Sequence, residues 1–510
     1  MENKKIFTNF FSFKKKLINI KKNKRKITLC HGVFDLFHAG HFYSFNQAKD
    51  YGDLLIVSLT SDQFVKKAPN RPFFKFEERA NVIAGLSVVD YVIKNDYETS
   101  VNLINFLKPD IYFKGSDYKN NKADITNNIY KEIKAVKKNK GQVIYATTKT
   151  FSSSKILNTL DNLSKPQKQI IELIKKKYGF QNIEKIFSKL KKCNVMVVGE
   201  SIFDKYIFTK YLGTSGKEAI KTLERLNEIK YAGGSLAVAN NISSFVNRIN
   251  LLTVLGDSNN DLAFCKRKLM KNIKLNFLRR KKSPSIYKTK ILDVEKNEKI
   301  LGLYEFNDNE LTTVENQKFI KIFNKCLKKA DIVVVSDYGH NMINQNLSKK
   351  ISNIKKKSLI VNTQINAANY GYHTISKYKG VECAVINEIE LRFEMRDRKT
   401  EVKKLLIKLS NKFKIKNLFV TCGKNGSFAY SSKQNKVYYC PAFATNIVDK
   451  IGAGDTYMSI VGITLKYCKG DLSLVMFIAS IATLEVISSF GNEKSIDVNS
   501  LKKKLFYMFK

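Results

Sequence analysis

The chain has 510 residues, 44% of them hydrophobic, enough for about two to four domains of roughly 150 residues, each with its own core, which excludes a disordered chain. Lysine and arginine total 90 against 45 acidic residues, a formal charge of +45. Gathered into one tail or stripe, that charge would point to nucleic acid or an anionic membrane, but it is spread along the chain in clusters such as Lys14–Lys16, Lys355–Lys357 and Lys502–Lys504. No nucleic-acid partner and no membrane partner is expected, and the charge points to phosphorylated substrates. Eight cysteines include no C-x-x-C pair and no zinc-type spacing with histidine, so they read as reduced thiols of a cytoplasmic protein, and no metal held by protein ligands alone is expected.

The N-terminus is basic and amphipathic (Ile6, Phe7, Phe10, Phe11, Phe13, Leu17, Ile18) but has neither an uninterrupted apolar stretch nor a small-residue cleavage site, so it is not a signal peptide. Over residues 1–160, β-branched runs at Ile27–Cys30, Leu54–Leu59, Tyr91–Ile93 and Ile111–Phe113 alternate with helical patterns at Ala39–Tyr51, Phe76–Gly85 and Ser100–Leu107. That alternation predicts a Rossmann-like, doubly wound parallel α/β sheet. Residues 161–192 read as a basic helical linker. From 193 to 510 a second parallel α/β pattern follows, with strands at Val195–Val198, Ile249–Leu255, Ile332–Val335, Leu359–Val361, Cys383–Ile386 and Leu418–Val420. An antiparallel ribbon at Lys290–Glu305 could cover a cleft. The most apolar segment, Leu472–Ile487, is interrupted by Ser473, Ser480, Thr483 and Glu485 and reads as a buried helix instead of a membrane span.

Three of the five histidines fall within one string, Cys30-His-Gly-Val-Phe-Asp-Leu-Phe-His-Ala-Gly-His41. Gly32 permits a close turn after the first strand. His38 and His41, three apart, share a face of the next helix's first turn, where free N–H groups and the positive dipole end favour a phosphate. Two imidazoles there can donate hydrogen bonds to the oxygens of a phosphorus centre under attack; the structural alternative is a pair of capping histidines. Asp35 fits a helix cap equally well. The string resembles the nucleotidylyltransferases that carry the HxGH signature, in their cytidylyltransferase-like branch. Asn70-Arg71-Pro72 with Glu78-Arg79-Ala80, Lys114-Gly115-Ser116-Asp117-Tyr118 and Phe151-Ser152-Ser153-Ser154-Lys155-Ile156 match further elements of that family in order. The resemblance implies catalysis by His38 and His41, and nucleotide contacts from Gly32, Phe34, Arg71, Lys114, Ser152, Ser153 and Ser154. Arg71 and Arg79 can each serve a phosphate or a surface carboxylate. His31 stands where the family often has Thr or Asn.

In the second half, Asp449-Lys-Ile-Gly-Ala-Gly-Asp455 precedes a helical pattern. Its glycines let successive N–H groups converge on an anion, and Asp455 at that mouth can take a proton from a hydroxyl or simply cap the helix. This segment resembles the second signature of the ribokinase-like (PfkB) sugar kinases, in which the matching aspartate is the general base. Other elements follow the family order: Gly199-Glu200 through Asp204, Ala232-Gly233-Gly234 through Asn240, Asn387-Glu388-Ile389-Glu390, and Thr421-Cys-Gly423-Lys-Asn-Gly426. The resemblance implies sugar binding by Asp204, Gly233, Gly234 and Asn240. It implies nucleotide contacts from Asn387, Glu390, Thr421, Gly423, Gly426, Gly452, Ala453 and Gly454, with the N-x-x-E element tied to Mg²⁺. Two departures stand out: Asn362–Asn369 replaces an Asp-Pro-x turn, and Ser336–His340 matches the S-D-Y loop of heptose-phosphate kinases only in part. His340 and His373 read as structural.

Together the halves are similar to the bifunctional heptose-phosphate kinase and heptose-1-phosphate adenylyltransferase family, with an inverted domain order expected. The resemblance implies an enzyme using ATP, Mg²⁺ and a sugar phosphate to make an ADP-heptose-like NDP-sugar for surface glycan or lipopolysaccharide, with ATP or CTP at the transferase site and a homodimer as the assembly. The rivals are a CTP-dependent cytidylyltransferase for a polyol phosphate or phosphonate, and a nucleotide-sensing protein without kinase turnover.

Overall fold

A computed structural model of the chain describes residues 5–65, 72–115, 128–147, 163–216, 218–296, 298–444, 449, 451–468, 470–487 and 491–509. These form two units, Met1–Ser164 with Lys502–Lys510, and Lys165–Leu501.

The first unit is built on six strands, β1 (Ile6–Phe7), β2 (Ile27–Gly32), β3 (Leu54–Thr60), β4 (Tyr91–Asn95), β5 (Ile111–Lys114) and β6 (Gln142–Tyr145), in the order β1-β4-β3-β2-β5-β6. Every pairing is parallel. Strand β3, Leu-Leu-Ile-Val-Ser-Leu-Thr, is buried along its whole length, as a strand covered on both faces must be. Leu54 and Ile56 join one core with Phe13, Leu17 and Ile104, while Leu55, Val57 and Leu59 join the other with Phe45, Ala80 and Ile83. The amphipathic N-terminus is thereby explained: Phe10 and Phe13 are buried, as are Leu17 and Ile20 of helix Lys14–Lys22. Strand order reverses between β2 and β5, and a doubly wound sheet opens a crevice at the carboxyl ends of such a pair. Gly32 and Lys114 end those two strands.

The second unit has a nine-stranded sheet of β7 (Asn194–Gly199), β10 (Arg248–Leu255), β11 (Ile273–Arg279), β14 (Ile332–Asp337), β15 (Ser358–Thr363), β16 (Cys383–Asn387), β17 (Asn417–Thr421), β18 (Ser427–Ser431) and β19 (Lys436–Cys440). Its order is β11-β10-β7-β14-β15-β16-β17-β18-β19, parallel up to β17 and antiparallel for the last two pairings. Here the reversal lies between β7 and β14. The predicted ribbon is β12 (Ile286–Asp293) and β13 (Glu298–Glu305), which joins β8 (Ser201–Thr214) and β9 (Lys221–Gly234) in a separate four-stranded sheet ordered β13-β12-β8-β9. Helices Ala453–Thr464 and Leu472–Ile487 are buried almost throughout. No helix among the described residues is long and apolar enough to cross a membrane.

The expected linker at 161–192 is helical, and from Lys165 onward it belongs to the second unit. Helices Lys165–Lys177 and Gly179–Leu190 bury Ile170, Ile171, Ile174, Ile183, Phe187 and Leu190, and Gln167 donates to the Ala442 carbonyl at 2.6 Å. Each helix carries one apolar stripe, and that stripe is spent on the second unit's core.

Candidate active sites

In the first unit the chain leaves β2 through Gly32 and reaches Phe34 in the left-handed region, φ 46°. Asp35, buried, accepts from the backbone N–H groups of Phe73 and Phe74 at 2.7 and 3.0 Å; it staples two loops and caps no helix. His38 is the extended N-cap residue of helix Ala39–Lys49. Its ring stacks on that of His41 with centroids 3.9 Å apart and planes 14° from parallel, the shared face that their spacing predicted. Phe34 packs its edge against His41 at 5.1 Å, and His31 Nδ1 lies 3.1 Å from Ser58 Oγ. Burial lowers the pKa of His38, which disfavours the imidazolium form.

Two cations of this unit are already engaged. Arg79, 2% exposed, donates to the carbonyls of Phe74, Val33 and Thr60 at 3.0, 2.6 and 2.9 Å and to Asp62 Oδ1 at 2.6 Å. It is a structural hub paired with a carboxylate, and its phosphate reading falls away. Lys114, buried at the end of β5, forms an ion pair with Glu132 at 3.2 Å. Tyr112 donates to the same Glu132 oxygen at 2.8 Å and the Ser100 N–H to the other at 3.1 Å. Despite desolvation, Glu132 holds the pKa of Lys114 above the usual lysine value; Lys114 in turn draws Glu132 down to about 2. Arg71, Ser152, Ser153 and Ser154 lie outside the described residues, as do Ser116, Asp117 and Tyr118.

In the second unit a cleft of about 390 Å³ lies where the carboxyl ends of the strands meet the four-stranded sheet. Asp455, 8% exposed in the first turn of helix Ala453–Thr464, faces it. One carboxylate oxygen, Oδ1, accepts from Tyr338 Oη at 2.8 Å and from Gln364 Nε2 at 2.6 Å. Tyr338 is fixed from behind, because the buried Glu200 accepts from the backbone N–H groups of Tyr338 and His340 at 2.9 and 3.2 Å. Neither Tyr338 nor Gln364 stood out in the sequence as a site residue. The signal was present in the S-D-Y string and in the altered Asn362–Asn369 turn, but only the fold shows both reaching one oxygen.

Asp204 on β8 also lines the cleft, and its Oδ1 accepts from Lys290 Nζ at 2.7 Å. A Cβ on Gly233 would stand 2.1 Å from Asp204 Oδ2, so only glycine leaves that carboxylate its place. Gly234 lines the cleft beside them. Asn240 is not brought there. Its carboxamide donates to the Lys268 carbonyl at 3.1 Å and accepts from the Met270 N–H at 3.2 Å, on a helix face turned to a different, smaller pocket. The adjacent Asn241 points inward, donating to Thr456 at 3.2 Å.

On the opposite wall Asn387 and Glu390 form a reciprocal capping box: Glu390 N–H donates to Asn387 Oδ1 at 2.9 Å and Asn387 N–H to Glu390 Oε2 at 2.8 Å. Both line the cleft with Thr421, Gly452 and Gly454. Gly423 and Gly426 sit in the turn after β17, and Ala453 begins the Asp455 helix. Gly452 has φ 81°, and a Cβ there would fall 2.2 Å from Asn492 Oδ1. Asp449, at the start of the same motif, is held by Lys299 at 2.9 Å, Tyr206 Oη at 3.0 Å and the Gly491 N–H at 3.1 Å. His340 and His373 are structural, His340 Nδ1 lying 2.7 Å from Asp308 Oδ1 and His373 Nε2 3.1 Å from the Asp337 carbonyl.

A family model described as pfkB family carbohydrate kinase matches residues 192–468, and one described as cytidylyltransferase-like matches residues 29–159. The matches show no reversal of order relative to bifunctional relatives, and the expectation of an inverted order is withdrawn. The chain is 43% identical over 117 residues to the Bifunctional protein HldE of Campylobacter concisus (strain 13826), covering 22% of this chain and 25% of that protein. To the protein of that name from Helicobacter pylori (strain G27) it is 45% identical over 108 residues, 21% and 23% of the two chains. The chain thus spans about a quarter of the length of these curated relatives. The crystal structure of phosphofructokinase-2 from Escherichia coli in complex with potassium aligns at a TM-score of 0.50 and 15% identity, covering 62% of this chain and all of that one. That likeness shows the fold of the second unit.

Burial pushes the pKa of Asp455 up to about 6, with Asp204 adding to the rise and the Tyr338 and Gln364 hydrogen bonds opposing it. A carboxyl raised in the folded state binds more protons there than when unfolded, so stability falls as pH rises from about 4 to about 6, and the full cost is present at pH 7. Asp455→Asn keeps an acceptor for both donors and removes the charge. Urea unfolding of the second unit should therefore show a gain of about 2–3 kcal/mol at pH 7 that vanishes near pH 4. A loss at pH 7 would contradict the burial argument.

Proposed function

Because the chain belongs to the pfkB family of carbohydrate kinases, whose model matches residues 192–468, we infer that the second unit moves the γ-phosphoryl group of ATP to a hydroxyl of a sugar phosphate. The first unit, by the same inference, joins a sugar phosphate to a nucleotide. The observation that carries the kinase reading is the double hold on Asp455 Oδ1, which leaves the other oxygen to accept a proton. In the proposed step the sugar oxygen attacks the γ-phosphorus, the bond to the β-phosphate oxygen breaks, ADP leaves, and the hydroxyl proton passes to Asp455. Asp204 with Gly233 and Gly234 would hold the sugar. The N–H groups of Gly452, Ala453 and Gly454 at a helix N-terminus would hold the transferring phosphates, with Asn387, Glu390, Thr421, Gly423 and Gly426 on the nucleotide side.

The residues present fit Mg²⁺ accompanying the nucleotide. Burial pushes Glu390 up to about 7, a carboxylate short of positive charge. The nearby Asn362 Oδ1 is buried with no hydrogen-bond partner among the described residues. No group of three His, Cys, Asp or Glu among the described residues could hold a metal by itself, which suits an ion that keeps waters and shares phosphate oxygens. When bound, it would neutralise the triphosphate.

For the first unit, the proposed step is attack by a sugar-phosphate oxygen on the α-phosphorus of a nucleoside triphosphate, with pyrophosphate leaving. His38 and His41 would donate to the α-phosphoryl oxygens, Gly32 and Phe34 would contact the nucleotide, and Lys114, Arg71, Ser152, Ser153 and Ser154 would serve the phosphates. The resemblance to the bifunctional heptose-phosphate kinase and heptose-1-phosphate adenylyltransferase family supports ATP and an ADP-heptose-like product for surface glycan or lipopolysaccharide; the cytidylyltransferase-like match supports CTP as the second reading. A homodimer is part of the proposal, supported by Leu301 and Leu303, 58% and 62% exposed on β13, an apolar edge that a second copy would cover.

The test is to assay ADP and pyrophosphate release separately with heptose phosphates, ATP and CTP. His38→Ala or His41→Ala should lower pyrophosphate release by ~10²–10³ and leave ADP release within about twofold, since the kinase groups belong to another unit; undiminished pyrophosphate release would refute the transferase assignment. Asp455→Asn should lower ADP release by ~10²–10⁴ while ATP still binds, and turnover above about a tenth of wild type would reduce Asp455 to a helix cap. In Gln364→Leu one donor to the Asp455 anion is lost, so its pKa rises and the acid limb of kcat should move up by about half a unit to one unit. An unmoved or lowered limb would separate Gln364 from the base.

A further inference from the structure

Lys288 lies on β12, directly in register with Asp204 of β8, and lines the cleft that Asp455 faces. It differs from its neighbour two residues on: Lys290 is neutralised by Asp204 at 2.7 Å. The Lys288 ammonium lies 5.6 Å from the ring centre of Tyr304 and 5.9 Å from that of Tyr338. Among the described residues it has no hydrogen bond and no ion pair. Burial, helped by the nearby Lys290, pulls its pKa below the usual lysine value even though Asp204, Asp455 and Glu200 oppose the shift from a distance. A half-buried cation walled by aromatic rings and aimed into a cleft is costly unless an anion completes it, and the low dielectric between the rings strengthens that attraction once one arrives.

The position decides which anion. The proposed nucleotide contacts, Asn387, Glu390 and Thr421, come from the ends of β16 and β17. Lys288 comes from the four-stranded sheet, beside the proposed sugar aspartate. A lysine is a compact point charge well matched to a phosphate. Resting on the kinase reading above, we propose that Lys288 binds the phosphate that the sugar already carries, and that it thereby selects sugar phosphates over free sugars.

The test compares wild type, Lys288→Met and Lys288→Arg with heptose 7-phosphate and with the free heptose, following ADP release and the melting temperature. Lys288→Met should raise KM for heptose 7-phosphate at least about tenfold, leave KM for ATP within about twofold, and erase the preference over free heptose. Lys288→Arg, which keeps the charge, should retain most of that preference. In the absence of turnover, heptose 7-phosphate should raise the melting temperature of wild type but not of Lys288→Met. An increase confined to KM for ATP, or a fall in kcat with both KM values unchanged, would overturn the assignment by placing the cation on the nucleotide or on the transferring group. Thermal stabilisation that survives in Lys288→Met, or that is absent from wild type, would also overturn it. A wild type that releases no ADP yet is stabilised in a Lys288-dependent way would refute the kinase reading and uphold the phosphate site. If Lys288→Met does not fold, the same comparison with Lys288→Gln decides.

Discussion

The second unit depends on one buried carboxylate. Glu200 follows β7 directly and accepts from two consecutive-loop N–H groups, those of Tyr338 and His340, just beyond the end of β14. It thereby crosses the point where strand order reverses. Burial and the nearby Asp337 both push its pKa up, so the arrangement is expensive and persists only because every neighbour is committed. Asp337 itself is held by Tyr378 at 2.6 Å and Lys377 at 3.0 Å. Breaking one partner of such a network leaves the rest buried and unmatched. The crevice of a doubly wound sheet would otherwise be a gap between loops; here it has a rigid floor from which the Tyr338 hydroxyl reaches Asp455.

The covering sheet is tied to that floor by the same economy of charge. Asp449 begins the glycine-rich turn and takes Lys299 from β13 and Tyr206 from β8, so the four-stranded sheet and the anion-binding turn share a carboxylate. Lys299, Asp449 and Gly491 counter one another, and the pKa of Asp449 is lowered despite its burial. A sheet anchored at this point keeps Lys288 and Lys290 over the cleft without needing contacts at its exposed outer edge.

Much of this was legible in the sequence because it follows from short-range rules. The alternation of buried strand runs with helical patterns specified the parallel strands of both sheets, and glycine spacing marked Gly233 and Gly452, where a side chain has no room. The linker at 161–192 was misread because lysines flank its apolar positions; Ile170, Ile174 and Ile183 are buried by a surface far along the chain. Asn240 failed for a related reason. Motif spacing puts it on the right helix, but the helix face is set by packing, and the residue facing inward is Asn241. Arg79 could not be read at all from its own segment, since Val33 lies beyond β2 and Thr60 and Asp62 at and beyond the end of β3. Gln364 and Lys288 belong with it: each matters through a partner, or the lack of one, that only the tertiary structure supplies.

The two units handle charge in opposite ways, and that difference follows their chemistry. In the first, two buried cations are matched internally, Lys114 with Glu132 and Arg79 with Asp62, while the paired imidazoles lie at a helix start and burial lowers the pKa of His38. On the proposed reading, such a surface would meet a triphosphate with oriented donors and a helix dipole. In the second, Asp455 and Glu390 are carboxyls whose ionisation burial disfavours, and Lys288 is a cation that makes no direct ion pair among the described residues, although Asp204, Asp455 and Glu200 attract it from a distance. A cation there would relieve the two carboxyls and an anion would relieve Lys288, so ligands of opposite sign would complete different parts of the cleft. On the proposed reading, part of the binding energy in the second unit would come from completing those charges, and in the first from donors already in place.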